Sequence, residues 1–139
     1  MNQGLLSFPV LAIILLIASV LIIMFRRRTS AVARGDLTSA YYKTYDTVQV
    51  IPREVRQAER CFVNLLETTP IFFAICLFAV SLGKVDLIFL VMAWFYVACR
   101  LLQSIVHITS NKLGPRSQLY MLGWLIMLAF SFRLGWMII

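Results

Sequence analysis

Four long apolar segments leave little choice for how this chain folds. The first runs from Leu5 to Phe25, 21 residues without a charged side chain. About 20 helical residues, at a rise of about 1.5 Å each, span the roughly 30 Å hydrocarbon layer of a bilayer. Hydrophobic residues make up 61% of the chain and charged residues 14%, so a soluble domain of this size has no core that would bury them. We predict an integral membrane protein.

Breaks between the apolar segments predict the helix boundaries. The expected helices cover residues 5–25, 54–82, 85–110 and 116–139, within one domain over residues 1–139. Residues 26–53 form the long polar loop. Pro70 lies inside the second helix, where membrane helices tolerate proline. The predicted fold class is an all-α membrane protein, an antiparallel bundle of four transmembrane helices.

The basic residues predict how the bundle is oriented. Residues 26–60 hold eight of the 13 lysines and arginines, and Lys112 and Arg116 lie near the next connection on the same side. Because positively charged loops stay in the cytoplasm, both connections are expected there and both termini outside it. A cleaved signal peptide competes for the first segment, but no basic residue precedes that segment and three arginines follow it.

Charge and cysteine content exclude two other classes of site. The net charge of +7 comes mainly from a cluster flanked by apolar segments, which indicates membrane topology and no nucleic-acid partner. Cys61, Cys76 and Cys99 all lie in apolar segments, without a CxxC or histidine-rich pairing. We expect buried free thiols and no metal.

Polar side chains recur at helical spacing inside the second and third helices. Steps of three or four residues place each set on one face, and the antiparallel arrangement brings both sets toward the cytoplasmic ends. The second-helix set is Arg56, Arg60, Asn64 and Glu67, and the third-helix set is Arg100, Gln103, Ser104, His107 and Asn111.

Charged groups at membrane depth cost about 2.5–3.5 kcal/mol each and usually face a cavity or a partner helix. A structural network, with Glu67 paired to Arg100, is one interpretation. The excess of arginine favours another, a site for an anionic small molecule. Anionic lipid headgroups are the alternative for the outermost arginines. For His107, an interhelical hydrogen bond competes with a role in the site.

The second-helix set also forms part of a longer pattern. Residues 59–70 resemble the second-helix signature E-R-x-x-x-N-x-x-E-x-x-P of the MAPEG superfamily, the membrane-associated proteins of eicosanoid and glutathione metabolism. Residues 100–111, followed by Arg116, resemble the third-helix motif of a bacterial branch of that family. The resemblance covers the whole chain and is strongest over residues 53–120.

This resemblance implies a homotrimer in the bacterial inner membrane, with glutathione bound as cosubstrate between neighbouring subunits. Glutathione would attack a lipophilic small molecule that arrives from the membrane lipids. The activity implied is that of a glutathione-dependent transferase or peroxidase. A non-enzymatic lipid-binding or scaffold protein of the same fold is the second hypothesis, and a small four-helix transporter is the third.

The resemblance also implies roles for single residues. Arg60, Asn64 and Glu67 match positions that hold the carboxylates and amino group of glutathione. Arg116 matches an arginine near the sulfur, so it and its neighbour Ser117 are the predicted catalytic residues. The remaining residues expected to bind glutathione are Arg26, Arg56, Arg100, Gln103, His107 and Tyr120. Characterised members differ at Gln103 and His107, where they carry histidine and tyrosine, and one has arginine in place of Val63.

Overall fold

The helical framework follows the apolar segments. In the computed structural model, which describes residues 2–45 and 50–138, a 3₁₀ turn at Gln3–Leu6 precedes five α-helices. They are α1 (Ser7–Ala33), α2 (Tyr41–Thr44), α3 (Arg53–Ser81), α4 (Leu87–Ile108) and α5 (Leu113–Ile138). All except the short α2 are long and apolar enough to cross a membrane. The chain is therefore an integral, multi-pass membrane protein, as predicted.

Helix α1 is longer than the sequence pattern indicates. The polar loop expected from residue 26 begins only after Ala33, so the three arginines at 26–28 stand on a continuous helix. Arginine is a good helix former, and the first residue that breaks the helix is Gly35, at a φ of 79°. The other described helix ends fall within three residues of their predicted positions, while residues 46–49 and 139 lie outside the described part.

An aromatic cluster forms the centre of the bundle. Helix α1 packs mainly on α3, and α4 mainly on α5. The two pairs are joined where Phe72 of α3 stacks on Tyr96 of α4 at 4.5 Å between ring centroids, and within the second pair Phe89 of α4 meets Phe130 of α5 edge-on at 4.5 Å. Such offset and edge-to-face pairs add about 0.5–1.5 kcal/mol each to the burial of the rings.

Polar side-chain contacts tie the helices together at both ends of the bundle. At one end of the bundle α1 and α4 finish and α3 and α5 begin, and we call it the basic end. We call the opposite end the distal end. At the basic end Arg27 donates to the carbonyls of Glu54 (2.9 Å) and Ile108 (3.1 Å), which ties α1 to both neighbours. There Arg28 also pairs with Glu59 at 2.9 Å.

At the distal end Asp86 caps α4. Its carboxylate accepts from the backbone N–H of Phe89 (2.8 Å) and pairs with Arg133 of α5. Burial by itself raises the pKa of Asp86, but the Phe89 N–H and the Arg133 guanidinium outweigh it, so the pKa lies below the ordinary value. This carboxylate therefore holds α4 and α5 in register as an anion.

Candidate functional site

Most of the predicted site residues meet in one cavity. It lies between α3, α4 and α5 on the basic half of the bundle and measures about 500 Å³, within the range of about 300–1,000 Å³ usual for ligand pockets. We call it the main cleft. Its lining is Glu59, Arg60, Val63, Asn64, Glu67, Gln103, His107, Arg116, Ser117 and Tyr120.

Three predicted residues lie elsewhere. Arg26 lines a separate cavity beside α1, together with other residues in and just after α1 and with Glu54 of α3. Arg56 lies on a smaller recess next to the main cleft. Arg100 is fully buried behind the cleft. A single chain therefore does not bring these three residues to the cleft wall.

A hydrogen-bonded relay connects the buried Arg100 to the cleft. The Nη1 of Arg100 donates to Oε1 of Gln103 (2.7 Å), and Nε2 of Gln103 donates to Oδ1 of Asn64 (2.7 Å). Because Arg100 is only a donor, it fixes which end of the Gln103 amide accepts, and Gln103 then fixes the amide of Asn64. The NH₂ group of Asn64 is left as a donor for the cleft.

The surroundings of Arg100 explain how a buried cation is held. Its guanidinium carbon lies 5.1 Å from the ring centroids of both Tyr96 and Tyr120, a geometry of cation–π attraction. The pair with Glu67, one of the two interpretations left open by the sequence, is not formed, and the Nε and Nη2 of Arg100 have no hydrogen-bond partner. A Cβ on Gly123 would lie 2.8 Å from Nη2, so a larger residue there would force the guanidinium to shift.

The two predicted catalytic residues stand at the start of α5. Arg116 donates through Nη1 to the side-chain oxygen of Asn111, which holds a left-handed conformation (φ 49°) between α4 and α5. In this position Arg116 lines the main cleft. Ser117 lines the cleft too, but its hydroxyl donates to the carbonyl oxygens of Leu113 (2.6 Å) and Gly114 (3.1 Å). In this arrangement Ser117 offers the cleft its oxygen as an acceptor.

His107 is buried at the side of the cleft. Its side chain is only 5% exposed, and Nδ1 has no hydrogen-bond partner. The interhelical hydrogen bond considered as its alternative role is therefore not made through this nitrogen. The ring lines both the main cleft and the recess beside it.

The cleft carries both signs of charge. Glu59 is already paired with Arg28, whereas Glu67 has no ion pair in the described part of the chain. Arg60 and Arg116 likewise have no carboxylate partner there. A ligand with one ammonium group and more than one anionic group matches this lining.

Two lining residues were missed as site residues by the sequence analysis, Glu59 and Val63. They precede Glu67 at steps of four residues and so share its face of α3. The spacing was sufficient to find them. An apolar residue such as Val63 carries no signal by itself in a membrane helix.

Of the comparisons with known proteins, one gives a match. No curated protein and no solved structure matches the chain. A family model does match, that of the MAPEG family, over residues 6–136. The match takes in α1, α3 and α4, all but the last two residues of α5, and every residue of the main cleft. The chain belongs to the MAPEG family.

Proposed function

We propose that the chain binds glutathione in the main cleft and uses it, as a transferase or peroxidase, against hydrophobic electrophiles. The observation that carries this proposal is the position of Arg116, which Asn111 holds in the same cavity as Arg60 and Glu67. Membership of a family of eicosanoid and glutathione metabolism supports it.

The charges of glutathione match those of the cleft. Its ammonium group suits Glu67, and its carboxylates suit Arg60 and the free NH₂ of Asn64. Arg116 is then available for the sulfur. The oriented amide of Asn64 favours this reading, because a fixed donor binds a carboxylate without first losing rotational freedom.

An arginine beside the sulfur supplies the chemistry. A free thiol has a pKa near 8.5, and a fixed guanidinium lowers it by stabilising the thiolate, which is the nucleophile. The proton passes to water. The thiolate forms a carbon–sulfur bond with the electrophile, whose leaving group departs with the bonding electron pair. With a peroxide the thiolate instead attacks one oxygen, the O–O bond breaks and the other oxygen leaves as an alkoxide that takes up a proton. The sulfenic acid so formed reacts with a second glutathione to give the disulfide and water.

A homotrimer is part of the proposal. Glu67 lies in the middle of α3 and is exposed in the single chain. A carboxylate exposed to lipid there costs about 2.5–3.5 kcal/mol on insertion scales, so a second subunit that covers it stabilises the assembly. Members of the family are generally oligomeric. We place the basic end in the cytoplasm of a bacterial cell, with both termini on the other side of the inner membrane.

Calorimetry in detergent or nanodiscs tests binding directly. Glutathione should bind the assembled protein, and Glu67→Gln should weaken this binding by about ten-fold to a hundred-fold, because a charge-assisted hydrogen bond contributes about 1.5–3 kcal/mol. An assembled protein that does not respond to millimolar glutathione would refute the proposal.

A second measurement separates binding from chemistry. Arg116→Ala should abolish the ultraviolet absorbance of the bound thiolate while most of the affinity for glutathione remains. Lys112→Ala is the matched control, since it removes an exposed positive charge four residues away and should leave the absorbance unchanged.

The hydroxyl of Ser117 donates to carbonyls of its own helix and so has no proton to donate to a substrate. This observation favours one alternative, a lipid-binding or scaffold protein that has lost the chemistry. In that case Arg116→Ala would change nothing measurable with thiols, and lipid would copurify in the main cleft.

A further inference from the structure

A second cavity adjoins the main cleft at the basic end. It has a volume of about 310 Å³ and shares three of its lining residues with the main cleft. We call it the arginine recess. Its lining is Arg53, Arg56, Gln57, Arg60, His107, Asn111 and Arg116.

The recess concentrates positive charge without compensation. Four of its lining residues are arginines, and no described carboxylate lines it. Three other arginines in the described chain have carboxylate partners: Arg28 pairs with Glu59, Arg34 with Asp36 and Glu54, and Arg133 with Asp86. Two more have neutral partners, since Arg27 donates to backbone carbonyls and Arg100 to Gln103. The four in the recess have no carboxylate partner among the described residues. Such a cluster repels itself unless a bound anion neutralises it.

Two helix starts add to this field. Helix α3 begins at Arg53, and Pro52 before it provides no side-chain cap. Helix α5 begins at Leu113, three residues before Arg116. The N–H groups of a helix's first turn lack partners within the helix and carry partial positive charge, which favours anions nearby.

A buried side chain independently points to a ligand. His107, 5% exposed, lines the recess with its Nδ1 unpartnered. A buried polar atom without a partner costs about 1–3 kcal/mol. A ligand whose oxygens fill the recess would recover part of that cost.

We propose that the arginine recess binds a phosphate monoester. Such a group carries about −1.5 to −2 charges at pH 7 and three strong acceptor oxygens, so it neutralises several arginines at once. The planar fork of arginine fits two phosphate oxygens together. A single carboxylate would offset only one of the four charges. The cavity volume leaves room for the esterified group beside the phosphate.

The inference goes beyond the thiol chemistry and does not depend on it. Arg53 and Arg56 do not line the main cleft, and the probes contain no thiol. The phosphate has two possible sources, a soluble ester or a phospholipid headgroup. Both sources would present the same phosphate group to the recess, and two arms of one experiment distinguish them.

In the first arm, glycerol 3-phosphate is titrated by calorimetry into the protein in phosphatidylcholine nanodiscs. In the second, nanodiscs contain phosphatidic acid, and bound lipid is counted by native mass spectrometry. The double variant Arg53→Gln, Arg56→Gln should lower the affinity for the bound probe by about ten-fold or more, because two charge-assisted contacts are lost. Both residues are exposed, and thermal unfolding of the variant checks its fold.

A charge-matched control comes from Lys43→Gln, Lys112→Gln, which removes two exposed positive charges outside the recess. It should keep the affinity of the unmodified protein. Binding of glycerol 3-phosphate supports a soluble ligand, and binding of phosphatidic acid alone supports a lipid headgroup. The proposal is overturned if the unmodified protein binds neither probe saturably, or if the control loses as much affinity as the double variant. Glutathione affinity, measured on Arg53→Gln alone, should stay unchanged and keeps the two proposals separate, because Arg53 lines only the recess.

Discussion

At the scale of single residues, Arg100 shows how this bundle carries a charge inside a membrane. Its partners are the oxygen of Gln103 and the faces of two tyrosines, and no carboxylate takes part. A guanidinium is more weakly hydrated than an ammonium and stacks on aromatic rings, so arginine suits this position better than lysine. The relay it starts then orients Asn64 in the main cleft.

Gly123→Ala tests how tightly Arg100 is held. The new Cβ would lie 2.8 Å from Nη2 and 3.2 Å from the guanidinium carbon, so Arg100 must shift. We expect a loss of about 1–3 kcal/mol in the free energy of unfolding, as for other overpacked cores, and weaker glutathione binding as the relay to Asn64 moves. Thermal unfolding in detergent measures the first effect and calorimetry the second.

Gly135→Ala serves as the control in the same helix. Nothing lies within 4 Å of its added Cβ, so the substitution should stabilise α5, by up to about 1 kcal/mol, through higher helix propensity. Equal effects of the two substitutions would contradict the role given to Gly123.

The Asp86–Arg133 pair predicts a dependence on pH. The folded-state pKa of Asp86 lies below its unfolded value of about 3.9, so the ion pair contributes fully above that value and its contribution is lost as the pH falls through the folded pKa. The difference in Tm between the unmodified protein and Asp86→Asn should therefore be present at pH 7 and shrink below about pH 4. Asparagine keeps the helix cap, so Asp86→Ala should cost about 0.5–2 kcal/mol more at every pH. A Tm difference that is constant with pH would exclude the ion pair as its cause.

At the scale of the elements, α1 acts as a brace across the basic end. It continues to Ala33, and its Arg27 caps the last carbonyl of α4 while it also holds the start of α3. A flexible loop at residues 26–28 would not fix these two helix ends relative to each other. The main cleft depends on that arrangement, because its walls come from both helices.

Arg27→Gln should lower the free energy of unfolding by about 1.5–3 kcal/mol, the usual contribution of hydrogen bonds from a charged group. Arg26→Gln is the matched control, since it removes the same charge from an adjacent, exposed position. It therefore changes the positive charge that orients the protein in the membrane by the same amount. Limited proteolysis and thermal unfolding compare the two variants. A loss of stability of the same size in both would show that net charge, and not the contacts of Arg27, is responsible.

At the scale of the whole molecule, the bundle has a basic end and a distal end that differ sharply in charge. All the arginines from 26 to 60 lie on α1, α3 or the segment between them, near the basic end. Lys84 and Arg133 are basic residues near the distal end, and Arg133 is paired with Asp86. This asymmetry favours the basic end inside the cell.

Labelling of introduced cysteines in intact cells tests the orientation. Lys84→Cys, between α3 and α4, should react with a membrane-impermeant maleimide, and Lys43→Cys on α2 should react only after lysis. Both lysines are exposed, and the three native cysteines are buried and supply little background. The reverse pattern would place the basic end and the main cleft outside the cytoplasm.

Much of the site was predictable because helical spacing is a local property. Steps of three and four brought Arg60, Asn64 and Glu67 to one face, and the antiparallel turn brought Gln103 and His107 to the same depth. The length of the apolar segments determined the four membrane helices, since each must satisfy its backbone hydrogen bonds within the bilayer.

Only the tertiary structure decided which charges meet. Spacing alone equally allowed Arg100 to pair with Glu67, but the approach of α5 at Gly123 and the ring of Tyr120 hold it against Gln103 instead. Contacts of this kind depend on the distance and rotation between helices, which side chains far apart in sequence set together. The sequence by itself determined the four membrane helices and the polar face of each, and their packing decided that one arginine is buried while four others surround an open recess.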